Sequence, residues 1–172
     1  LGQYDPRMME YDLPALAEHL QVERDRDFKY LGLQTLEKNY FSREHGCRKL
    51  LEVPQIFWMR IAMGIALAEK SPDERQRHAV EFYEVMSEMF YTPSSPTLYH
   101  AGLRKAQLSS CFLSTVPDDL HAIFDEYKDG AQLLKYAGGL GVDWTPIRST
   151  GSVIRSTGVE SQGVIPFLKI QN

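Results

Sequence analysis

The chain has 172 residues, enough for one domain or one and a half. An apolar share of 43%, a charged share of 24% and a net charge of −4 suit a globular protein and give no sign of bulk binding to nucleic acid or anionic membranes. The most apolar run, Ile56 to Leu67, is about a dozen residues, falls short of a membrane span and contains Arg60.

The opening LGQYDPRMME carries no charged-then-apolar targeting pattern, and its lack of an initiating Met points to a processed or excised start. Residues 1 to 92 read as a helical domain. Asp12 and Pro14 start a helix with Leu13, Leu16, Ala17 and Leu20 on one face. Leu33, Leu36 and Tyr40 repeat at helical spacing from Tyr30. Glu52 to Lys70 is apolar on nearly every side, as a buried helix would be. Ser71-Pro72-Asp73-Glu74 has the order of an N-cap, a first-turn proline and first-turn acids. The helix that follows places Val80, Tyr83, Met86 and Phe90 inward, and Thr92-Pro93 stops it.

Residues 93–172 have a different texture. Residues 93–111, rich in Ser, Thr, Pro and Gly, read as loop leading into a strand from Cys111 to Val116. Pro117-Asp118-Asp119 opens a helix from Leu120 to Tyr136, and Ala137 to Gly141 ends it. Val142 to Trp144 reads as a short buried strand. Residues 146–163 form a loop, ordered or mobile, before an apolar segment from Val164 to Ile170. The chain stops soon after that segment begins, so a split gene, an interrupting element or trimming is expected.

The polar residues of this half allow two readings each. Ser94, Ser95, Thr97, Ser109 and Ser110 could cradle a phosphate or simply cap neighbouring helices. Gly138-Gly139-Leu140-Gly141 follows a helix and lacks a Lys-Ser/Thr, so it is no Walker loop; it fits a helix cap or a close approach to a flat ligand. Lys135, Arg148 and Arg155 could converge on a triphosphate or stay solvated. One of Asp118 and Asp119 could cap the helix while the other binds a ribose. Cys111 is either a buried structural thiol or a redox thiol needing a partner, for which Cys47, beside Arg48 and Lys49, is poorly placed. Two cysteines make no secreted disulfide framework, so a cytoplasmic location is expected. The five histidines, His19, His45, His78, His100 and His121, form no i, i+4 pair, so no metal site is expected.

Taken in order, SPTLYHAG, QLSSCFLS, the Asp118-Asp119 pair, KYAGGLGV, IRSTGSVI and SQGVIPFLK resemble the class I ribonucleotide reductase large subunit. RDFKYLGLQTLEKNYF and EVPQIFWMRIAMGIA resemble that family's helical region. The resemblance runs from about residue 25 to the end, in an order highly specific to the family. It implies a mainly α chain with a few short β-strands: an N-terminal helical domain, 1–92, then the first strands of an incomplete ten-stranded α/β barrel, 93–172.

The resemblance further implies radical reduction of ribonucleoside diphosphates to deoxyribonucleoside diphosphates. Cys111 matches one of two reducing thiols, whose partner lies outside this chain. Ser95, Thr97, Ser110 and Gly139 match substrate contacts. Asp119, Leu120, His121, Lys135, Arg148, Ile154, Arg155 and Ser156 match a specificity site for a deoxynucleoside triphosphate, with Ser149 to Gly158 as its first loop. The implied partners are the remainder of the large subunit, a second large subunit, a small metal-containing subunit that supplies the radical, and thioredoxin or glutaredoxin as reductant. Deoxynucleoside triphosphates and ATP are the implied effectors. No cofactor is expected on this chain itself, and neither a membrane nor a nucleic-acid polymer is expected as partner. The radical-carrying and second reducing cysteines would lie downstream, so the chain alone would be inactive. A stand-alone nucleotide-binding regulatory module and a helical interaction domain are the alternatives; the motif order argues against the second.

Overall fold

Ser71 accepts a hydrogen bond from the Glu74 backbone N–H at 3.2 Å, and the Glu74 carboxylate accepts one in return from the Ser71 backbone N–H. This reciprocal box starts one of seven α-helices seen in a computed structural model that describes residues 2–44, 46 and 49–171. Cys47 and His45 fall outside the described residues. The chain forms two compact units, one ending at Leu108 and one beginning at Ser109.

The first unit is helical. Two 3-10 turns, Pro6–Glu10 and Val22–Asp27, flank α1, Leu13–Glu18. Asp12 caps α1 by accepting from the Ala15 N–H at 3.1 Å. Helices α2, Tyr30–Asn39, α3, Pro54–Ala66, α4, Pro72–Ser87, and α5, Ser95–His100, follow. Helix α3 is the unit's axis: Phe57, Trp58, Ile61, Ala62 and Ala66 are fully or almost fully enclosed, packed with Tyr83 and Met86 of α4.

Two expectations are corrected here. Phe90 is not on the inner face of α4 but 79% exposed, because the helix ends at Ser87 and Met89 takes φ +63°, turning the chain away. The stretch before Cys111 is not all loop: Pro96 at the second position of α5 presets a short helix whose face buries Thr97 and Leu98.

The second unit pairs β1, Cys111–Thr115, with β2, Gly139–Asp143, in parallel through α6, Leu120–Lys135. Cys111 stands opposite Gly139 and Thr115 opposite Asp143. Alternation puts Cys111, Leu113, Thr115, Gly139, Gly141 and Asp143 on one exposed face, with Leu113 89% accessible. The other face is half covered, and α6 approaches it at Gly130, where an added Cβ would lie 2.9 Å from Leu140.

Of the stretch expected to end α6, Ala137 and Gly138 do so, while Gly139, Leu140 and Gly141 do not. Ala137 takes the left-handed position, φ +63°, and the Gly138 N–H returns to the Leu133 carbonyl at 3.1 Å in a Schellman-type closure. The next glycines already belong to β2. Trp144 lies beyond that strand, and Val142 within it is only half buried. Residues 146–163 are ordered: the Ile154 N–H donates to the Val159 carbonyl and the Gly151 N–H to the Ser161 carbonyl, around an antiparallel bridge between Val153 and Glu160. The apolar segment after it forms α7, Ile165–Gln171. Val116, Ile123 and Ile147 form this unit's small core, with Tyr127, Trp144 and Phe167 against it. Among the described residues no helix is long and apolar enough to cross a membrane.

Candidate functional site

Three groups of side chains emerge. The first lies where β1 and β2 begin. The Gly139 N–H donates to the Ser110 carbonyl at 2.7 Å, which locks Gly139 beside Cys111. The Ser110 hydroxyl approaches the Cys111 sulfur at 3.6 Å. Cys111 is exposed, so of its two readings the buried structural thiol is set aside. With no side chain on Gly139, the strand surface next to the thiol is flat enough for a planar group to lie on. Farther along the same face, Thr145 holds the Asp143 carboxyl below its ordinary range through its hydroxyl and its backbone N–H.

The second group closes around the start of α6. Asp119 is the N-cap: its Oδ1 accepts from the Ala122 N–H at 3.0 Å. Asp118 instead accepts from Arg148 Nε at 2.6 Å. Two neighbouring cavities, of about 490 and 430 Å3, share Asp118, Arg148, Ile154 and Ser156. Arg155 lines the first; Asp119, Leu120, Ile123, Ile147, Thr157, Ser161 and Phe167 line the second. Cations, a helix N-terminus and hydroxyls thus adjoin an apolar wall, a combination suited to a ligand with an anionic end and a flat apolar end.

Of the eight residues expected at a triphosphate site, Asp119, Leu120, Arg148, Ile154, Arg155 and Ser156 come together here. His121 and Lys135 line neither cavity. Lys135 closes the far end of α6, about 22 Å from Leu120 along the axis, with its ammonium over the Tyr136 ring. Sequence reasoning missed Ile123, Ile147, Ser161 and Phe167, while Thr157 falls within the expected Ser149 to Gly158 loop. Of the four, Ile123 had a signal as part of the expected helix and Phe167 as part of the apolar segment.

The third group is in the first unit, on α5. The Ser95 hydroxyl lies 3.0 Å from the Tyr40 hydroxyl, and the Tyr40 ring stacks on Tyr99 at 4.7 Å. Thr97 is buried and its hydroxyl donates to the Leu108 carbonyl at 3.0 Å, so its oxygen can accept but its proton is already engaged. Among the described residues, no three His, Cys, Asp or Glu side chains are placed to hold a metal ion.

Family models cover both units. The family model described as "Ribonucleotide reductase, all-alpha domain" matches residues 26–106, and that described as "Ribonucleotide reductase, barrel domain" matches residues 109–172. The chain belongs to the ribonucleotide reductase large-subunit family.

Relatives agree in name. The "Ribonucleoside-diphosphate reductase subunit alpha" of Chlamydia pneumoniae is 49% identical over 98% of this chain, and that of Helicobacter pylori is 43% identical over 94%. The "Ribonucleoside-diphosphate reductase large chain" of Schizosaccharomyces pombe is 42% identical over 86%. The chain spans 16%, 20% and 18% of these relatives' own lengths, respectively. In the family's terms, the first unit carries the all-alpha match and the second the barrel match.

Proposed function

We propose that this chain forms part of a cytoplasmic ribonucleoside-diphosphate reductase large subunit, which reduces ribonucleoside diphosphates to deoxyribonucleoside diphosphates by radical chemistry. The observation that carries this reading is the register that sets the exposed Cys111 thiol beside Gly139. Cys111 supplies reducing electrons to the substrate ribose and closes a disulfide with a second thiol outside this chain. Ser95, Thr97, Ser110 and Gly139 contact the substrate. A small metal-containing subunit delivers the radical, and thioredoxin or glutaredoxin restores the dithiol.

The cavities at the head of α6 bind a deoxynucleoside triphosphate or ATP that selects the substrate. Arg148 and Arg155 meet its phosphates, Asp119 its ribose, and Leu120, Ile154 and Ser156 its remaining surface. His121 and Lys135, which line neither cavity here, contribute through a second copy of the subunit packed along α6. Leu120, Phe124, Tyr127, Ala131 and Leu134 follow one another at alternating spacings of four and three, the pattern of a helix seam.

The test is turnover of the complete subunit with its radical-supplying partner. Cys111→Ser should abolish multiple turnover with a thioredoxin-type reductant. Retained turnover would remove the redox role. The runner-up, a free-standing regulatory module, is favoured only by the effector cavity being lined from one unit. Calorimetry on the 172-residue chain separates the two: tight one-to-one binding of dTTP supports the module, and weak or absent binding supports the subunit.

A further inference from the structure

Helix α5 is held by an unusual device. Arg60 of α3 is 4% exposed, and its guanidinium lies against the Glu52 carboxylate, which is 1% exposed. Its other nitrogens donate to backbone carbonyls at the end of α5: Nη1 to Ala101 at 2.7 Å and Nη2 to Leu98 at 3.1 Å. Glu52 in turn accepts from the Ser42 N–H at 2.8 Å, so the pair is anchored from a third direction.

The backbones of α3 and the turn after α5 touch beneath this pair. A Cβ built on Gly64 would fall 2.1 Å from the Gly102 nitrogen and 2.5 Å from the Ala101 carbonyl carbon. Gly102 takes φ +79°, and a Cβ there would meet Arg60 at 3.2 Å. At its other end α5 is met by Tyr40, through the Ser95 hydroxyl.

Stability alone does not account for a buried ion pair. Taking both charges from water offsets most of their attraction, and apolar side chains of similar volume commonly serve as well. What an apolar pair cannot do is bond two helix-end carbonyls that have no intrahelical partner. A guanidinium does so with donors in a fixed planar fork, which sets where those carbonyls lie.

We propose that Arg60, clamped by Glu52 and seated beside Gly64, is a positioning residue that fixes α5 so that Ser95 meets the substrate nucleotide. This rests on reading Ser95 as a substrate contact. The carbonyls at the end of α5, not the substrate, are what Arg60 touches.

The experiment compares Arg60→Lys, Gly64→Ala and Ser95→Ala in the complete subunit with its radical-supplying partner. Lysine keeps the charge against Glu52 but loses the fork; alanine pushes α5 off α3. Both should raise KM for the ribonucleoside diphosphate roughly ten- to a hundredfold. Saturated kcat should stay within about twofold, with triphosphate affinity unchanged. Adding Ser95→Ala to Arg60→Lys should produce no further rise, since both act through one contact. Additive effects, or a fall in kcat at unchanged KM, would overturn the positioning role. A Ser95→Ala subunit with unaltered KM would instead sink the substrate reading beneath it. Should Gly64→Ala fail to fold, Arg60→Lys decides alone.

Discussion

Asp118 and Arg148 are joined by a 2.6 Å bond between Oδ2 and Nε, with each side chain about one-third exposed. The pair sits on the shared wall of the two cavities, so a triphosphate seeking Arg148 must displace a carboxylate already there. Asp118→Asn should therefore tighten triphosphate binding. A pair this exposed is worth about 0.2–1 kcal/mol, which corresponds to a gain of up to roughly fivefold. Calorimetric titration of the complete subunit checks the sign, and weaker binding would mean that Asp118 itself holds the ligand.

Glu52 is the sole carboxylate among the described residues bonded to the Arg60 guanidinium. Glu52→Ala would leave a cation enclosed without its counter-charge. The expected loss is about 3–5 kcal/mol, measured by denaturant unfolding. Replacing both members, Glu52→Leu with Arg60→Met, should cost less than the single change. The reverse order would show that the pair's attraction outweighs its desolvation.

Tyr11 is buried and donates to the Met63 carbonyl at 2.7 Å. Burial pushes its phenol up to about 12, against the smaller opposing effects of Arg75 and Arg7. Its folded value lies above the ordinary phenol value, so its contribution is whole below pH 10 and is lost as pH rises toward 12. Absorbance titration should show one tyrosine ionising well after the exposed ones. Tyr11→Phe should flatten the fall in stability over that alkaline window; an unchanged slope would place the late phenol elsewhere.

Phe124 and Leu134 are exposed on α6 within the four-three repeat. If a second subunit packs there, Phe124→Glu with Leu134→Glu should weaken self-association of the complete subunit by roughly a hundredfold or more, from the apolar burial forgone. Sedimentation measures it. An unaffected dimer would move the interface to another face.

Where chemistry was local, the residues announced it. Ser71 to Glu74 and Asp119 specified their helix starts through capping, which depends on neighbours three positions away. Cys111 was legible as the start of a strand, but its exposed face was not, since Leu113 on that face is apolar. What failed was long-range. Nothing near Gly138 reveals that Ala137 would accept the left-handed turn, because Gly138 and Gly139 are required by their closeness to Phe112 and Ser110, more than twenty residues away. Phe90 had the right spacing but no longer had a helix beneath it. The cavity at the head of α6 was legible in its charged residues and not in its apolar wall, since Ile147 and Phe167 meet Ile123 only through tertiary packing.

The helical core, from Met8 to Ala101, draws all its partners from residues up to Leu108. Synthesis proceeds from the N-terminus at roughly 5–20 residues per second. The bundle around α3 can thus close while the parallel strand pair is still emerging from the ribosome. A translational pause once Leu108 has cleared the ribosome would leave a finished bundle tethered to an unfinished sheet.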